Sequence, residues 1–125
     1  MLSVVESIPT VEFAAVCRGL DDLSRGNPEI FQEFVGLLTT SLRRSSDMLV
    51  SAVETGGHRQ IVHAAHTLRG TSLTSGLTSI AGLAEQIEVG VAQGDGLRAA
   101  ATRLQILVEH AITEMRLPRA VKGQQ

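Results

Sequence analysis

Asn27-Pro28-Glu29-Ile30-Phe31-Gln32-Glu33-Phe34-Val35-Gly36-Leu37-Leu38 decides the fold of this chain. An asparagine side chain accepts from the backbone N–H groups that a first helical turn leaves without partners. Proline at the first helical position sacrifices no bond, and its φ is already helical. Glu29 then faces the positive end of the helix dipole. Beyond this start, Ile30, Phe31, Phe34, Leu37, Leu38, Leu42, Leu49 and Val53 return at helical spacing. The helix is expected to reach about Glu54, where Gly56-Gly57 stops it.

The same punctuation recurs on either side. Upstream, Thr10 is placed to cap a short helix over about 11–23 that carries Val11, Ala14, Ala15 and Leu20. Downstream, a helix over about 58–74 has an apolar stripe at Ile61, Ala65, Leu68 and Ser72, and Ser75-Gly76 breaks or bends it. Another follows through Leu77, Ile80, Leu83, Ala84, Ile87 and Val91, ending at Gln93-Gly94-Asp95-Gly96. The last, about 97–117, carries Leu97, Ala100, Ala101, Leu104, Leu107, Val108, Ala111, Ile112 and Met115 before Pro118 ends it. Residues 118–125 read as a polar, frayed tail. No alternating strand pattern or internal repeat is present. The expected fold is all-α: an antiparallel four-helix bundle over about 28–117 with a short additional N-terminal helix, one domain spanning 1–125.

Composition supports that reading and excludes several function classes. The chain has 125 residues, enough for one core and short for two. Aromatic residues are 2% of it, so the core must be aliphatic. A formal charge of −2 is no basic nucleic-acid footprint. Cys17 is the sole cysteine, which forbids an internal disulfide and suits a reducing compartment; among Phe13, Ala14, Val16 and Leu20 it reads as buried and inert. Neither a signal peptide nor an apolar run of membrane-spanning length is evident, so the chain is expected to be cytoplasmic. No phosphate loop and no Gly-x-Ser-x-Gly elbow occurs, so ATP binding or kinase activity of its own is not expected.

The chemistry gathers at His66-Thr67-Leu68-Arg69-Gly70. Against the stripe through Ile61, Ala65 and Leu68, His66 is turned away by roughly 100–160°, which puts its ring on the outer face. Arg69 and Gly70 fall within about 60° of it. A glycine inside a helix costs about 1 kcal/mol relative to alanine, and here it leaves one side of the imidazole open. Between Thr55 and Ala84 there is no Asp or Glu, while Arg59 and Arg69 supply a charge of +2, so this face is expected to be positive. An acidic partner pocket would be steered toward it. His63 lies three residues before His66 and His58 precedes both, but the helix offers no carboxylate or thiolate to complete a metal set. His110 reads as a plain surface residue.

With these residues in view, the chain resembles the histidine phosphotransfer (HPt) domains of multistep two-component phosphorelays. The family pattern of histidine, any residue, apolar, Lys or Arg, glycine and two small residues reads here as His66-Thr67-Leu68-Arg69-Gly70-Thr71-Ser72, with Gly76 further on. Glu29-Ile30-Phe31-Gln32-Glu33-Phe34, Leu83 to Glu88 and Gly94-Asp95 resemble the flanking segments, so the likeness spans about 27–116. The chain departs from the pattern at Ser75, where an apolar residue is usual, and at Leu77, where a small one is usual. The resemblance implies that His66 takes a phosphoryl group from a receiver-domain aspartate and passes it to another receiver. It implies that Arg69 stabilises phosphate charge, that Gly70 keeps the face open and that Glu88 orients the imidazole. Arg59, His63 and Leu73 are the expected partner contacts. No cofactor is implied beyond Mg²⁺ in the partner receiver, and a monomer is expected.

Two other readings compete. The dimerisation and phosphoacceptor domain of a sensor kinase also presents a helical histidine and resembles His66-x-Leu68-Arg69. That class normally has an acid directly after the histidine and a proline several positions later, whereas Thr67 is not acidic and positions 71–73 hold no proline. The third reading is a non-catalytic helical adaptor with an incidental histidine.

Overall fold

The computed structural model describes residues 8–90 and 94–117. Five helices and no strand lie among them: α1 (Thr10–Ser24), α2 (Pro28–Thr55), α3 (His58–Ser75), α4 (Thr78–Glu88) and α5 (Asp95–Arg116). Each helix from α2 to α4 packs on the next, and α5 returns to α2, which closes a ring of four. The turns joining α2 to α3 and α3 to α4 are two residues long, which makes those neighbours antiparallel. α1 lies outside the ring, against α2, α3 and α5.

α2 starts as its sequence dictates: Asn27 Oδ1 accepts from the N–H groups of Glu29 at 2.9 Å and Ile30 at 3.1 Å. It ends at Gly56, whose φ of 78° is left-handed. Its inward residues are Phe31, Val35, Leu42, Leu49 and Ala52; Ile30 and Leu37, expected on that stripe, are exposed. In α3 all four stripe residues, Ile61, Ala65, Leu68 and Ser72, are buried. α3 closes at Gly76, φ 96°, where Leu77 N–H donates to Ser72 O at 2.8 Å. The two departures from the family pattern fit this bend without distortion. Ser75 Oγ turns back to donate to Thr71 O at 2.8 Å, and Leu77 is fully buried at the head of α4.

The ends of the chain depart further from the sequence reading. Thr10 is inside α1, not its cap; Pro9 stands at the cap position, with no side-chain cap bond. The inward line of α1 is Glu12, Val16, Leu20 and Ser24, while Val11 and Ala14 face solvent. Glu12 explains the shift. Its carboxylate accepts from Ser79 N–H at 3.1 Å and from Ser79 Oγ–H, so α1 caps the start of α4 across the fold. Cys17 is half-buried, not enclosed. α4 stops at Glu88, and Gly90 turns with φ 83°, five residues before the expected end. Val91 and the tail 118–125 fall outside the described residues. α5 begins two residues earlier than expected, at Asp95. One aliphatic cluster joins all five helices, with Leu42, Leu49, Leu68, Leu77, Ile80 and Leu104 at its centre. None of the described helices is long and apolar enough to cross a membrane.

Candidate functional site

The inward stripe of α3 fixes which residues face out. With Ala65 and Leu68 fully buried, the intervening His66 must point away from the core, and its side chain is 62% exposed. One helix over, the buried Ala84 and Ile87 of α4 leave Glu88 at the edge that faces α3. The carboxylate meets the imidazole there: Glu88 Oε2 lies 2.6 Å from His66 Nδ1. Its other oxygen, Oε1, accepts from Arg69 Nε–H at 2.7 Å. Three side chains from two helices thus form one chain of contacts, Arg69–Glu88–His66.

The protonation pattern follows from donors and acceptors. The Arg69 guanidinium, followed by the His66 ring, holds the Glu88 carboxyl below its ordinary 4.5, so it is an ionised acceptor near neutrality. A nitrogen 2.6 Å from an ionised carboxylate carries a proton. Nδ1 is therefore N–H and donates to Glu88. Arg69 Nη2 also lies 3.4 Å from Nδ1, but a protonated nitrogen has no lone pair to accept from it, and this approach is a contact only. In the neutral ring the lone pair then belongs to Nε2, on the side away from Glu88.

Gly70 leaves open space. A Cβ built there meets nothing within 4 Å outside its own helical neighbourhood, so packing within this chain does not demand glycine. Two depressions lie along α3. His58, Arg59, Val62, His63, His66 and Glu88 line one of about 510 Å³. Gly70 belongs to the other, also about 510 Å³, a mainly apolar groove where α1, α2 and α3 meet around Val16, Leu20, Leu23, Phe34 and Leu38.

The residues expected at the site are therefore brought together unevenly. His66, Arg69 and Glu88 touch; Arg59 and His63 share a depression with the ring; Leu73, half-exposed, lies on the same helical line two turns on and lines neither depression. Arg69 does not face outward as expected, since its side chain is only 30% exposed and folded onto Glu88. The expected positive face is weakened accordingly. Glu88 comes from beyond the acid-free stretch and cancels the charge of Arg69, leaving Arg59 as its fixed cation. Among the described residues no three His, Cys, Asp or Glu side chains are arranged so that they could hold a metal ion. His58 and Val62, eight and four residues before the ring on the same helix, were missed as sharing its depression.

His110 is not a plain surface residue. Its Nδ1 accepts from Ile8 N–H at 2.9 Å, its ring meets Phe13 edge-on at 5.3 Å, and its side chain is 27% exposed. It pins the entry of α1 to α5.

The family model for the Hpt domain matches residues 29–117, which takes in α2 through α5 and leaves α1 outside. No curated protein and no solved structure matches the chain.

Proposed function

The chain belongs to the Hpt domain family, which serves histidine phosphotransfer in phosphorelays through receiver domains, and on that premise we propose that His66 is the phosphoryl carrier. The observation that carries the reading is the ring itself: exposed, held at Nδ1 by an ionised carboxylate, and open at Nε2. A phosphorylated receiver settles over the face that His66 shares with Arg59 and His63, against an open side that Gly70 provides. The Nε2 lone pair attacks phosphorus, an N–P bond forms, and the P–O bond to the receiver aspartate breaks, with the carboxylate leaving on the electron pair. Nδ1 keeps its proton throughout. The positive charge that the ring gains is balanced by the Glu88 carboxylate directly against it. Attack by the aspartate of a second receiver reverses each change.

This transfer is chiefly positioning and charge stabilisation. The receiver supplies the acidic pocket and its Mg²⁺; this chain supplies the nucleophile and its orientation. It needs no cofactor of its own, acts as a monomer and works in the cytoplasm.

The test is transfer of label from a phosphorylated receiver. The wild type is expected to take up an acid-labile, base-stable phosphate and His66→Gln none. Uptake that persists in His66→Gln would move the carrier elsewhere.

A further inference from the structure

Arg69 stands behind the imidazole, not in front of it. Its Nε is 2.7 Å from Glu88 Oε1, and Nη2 makes its 3.4 Å approach to the ring at Nδ1, the nitrogen already committed to Glu88. A phosphoryl group carried on Nε2 lies on the opposite side of the ring. With 30% of its side chain exposed, Arg69 has little of its surface turned to a docking partner. Glu88, in turn, has one oxygen on each neighbour and a side chain only 18% exposed. Fixing Oε1 fixes the plane of the carboxylate, and so the direction in which Oε2 receives the Nδ1 proton.

We propose that Arg69 is a positioning residue, acting through Glu88 to hold His66 in its Nδ1–H form, and not a direct ligand of the transferred phosphoryl group. The inference rests on the reading of His66 as the carrier. It also gives a reason for arginine at this position. Guanidinium is a planar fork that reaches Glu88 through one nitrogen and lies alongside the ring with another. An ammonium would keep the carboxylate ionised but would not hold its plane.

Ring ¹⁵N spectra of His66 in the unphosphorylated protein read the tautomer directly, at a pH where the ring is neutral. The wild type should be predominantly Nδ1–H. Arg69→Gln should lose that predominance, and its phosphoryl uptake should fall about 10- to 100-fold, the range that outer carboxylate partners of functional histidines carry in metal sites. Arg69→Lys should recover part of the rate and part of the tautomer bias. Glu88→Ala, which removes the acceptor, should shift the tautomer in the same direction as Arg69→Gln. A wild-type tautomer ratio in Arg69→Gln overturns the proposal, and slow uptake alongside it would put Arg69 on the phosphoryl group. A wild-type ratio in Glu88→Ala overturns it equally. If the wild type takes no phosphate from any receiver, the carrier reading fails while the tautomer measurement still decides the role of Arg69.

Discussion

His66 and His110 both commit Nδ1 to a partner, in opposite senses. His66 donates from Nδ1 to the Glu88 carboxylate at 2.6 Å, which leaves Nε2 with its lone pair on an open face. His110 accepts at Nδ1 from Ile8 N–H at 2.9 Å, so its proton sits on Nε2, which faces Glu114 Oε2 at 3.7 Å. The first ring is 62% exposed and the second 27%, with Phe13 against its edge. The same side chain is the proposed nucleophile in one setting and a clamp in the other. The difference lies in which nitrogen the fold leaves free and whether anything can reach it.

The widest separation between the two should come from exchanging their losses. His66→Gln should abolish phosphoryl uptake and leave the unfolding midpoint nearly unmoved. His110→Ala should retain uptake but lose about 1–3 kcal/mol of stability in denaturant unfolding, because the buried Ile8 loses its acceptor. Uptake that collapses in His110→Ala while the fold survives would break the comparison.

Gly70→Ala sharpens it at the open side of His66. The new methyl meets nothing in this chain and relieves a helical glycine, so stability should rise by up to about 1 kcal/mol. Uptake should nevertheless slow if the receiver approaches over Gly70 as proposed. Equal transfer rates would show that the open face is not used.

The smallest effect concerns acid. Arg69 holds the Glu88 carboxyl below 4.5 and Arg43 does the same for Glu109, through contacts of 2.7 to 3.0 Å. A folded-state pKa below the unfolded one adds stability that is complete above the unfolded value and is lost as pH falls through the folded value. The stability these two pairs contribute should therefore decline as pH falls below about 4.5, and Glu88→Gln and Glu109→Gln should each flatten part of that decline. Both pairs are partly exposed, so each contribution is modest. A decline that is unchanged in both variants would remove these pairs as its source.

The contrast also shows what a sequence makes legible. His66 could be read because its neighbours at three and four positions on are helical neighbours in space. Asn27-Pro28 and the glycines at 56 and 76 mark helix ends through local backbone chemistry, and those ends fell where expected. His110 could not be read in the same way, since its donor lies 102 residues away. Glu12 was hidden for the same reason: a carboxylate on an amphipathic helix reads as solvent-facing until Ser79, 67 residues on, supplies two donors. Arg69 was placed on the correct helix but given the wrong direction, because angular position on a helix does not tell which way a long side chain folds. Glu88 itself was named from the family resemblance, and its contact with the ring depends on how α4 packs against α3.

The most direct measurement of the central claim is a ³¹P and ¹⁵N spectrum of the protein after labelling by a phosphorylated receiver. The account expects one phosphoramidate, with phosphorus coupled to Nε2 of His66 and Nδ1 still bearing its proton. Phosphorus bonded to Nδ1 of that ring, or to His58, His63 or His110, would contradict it.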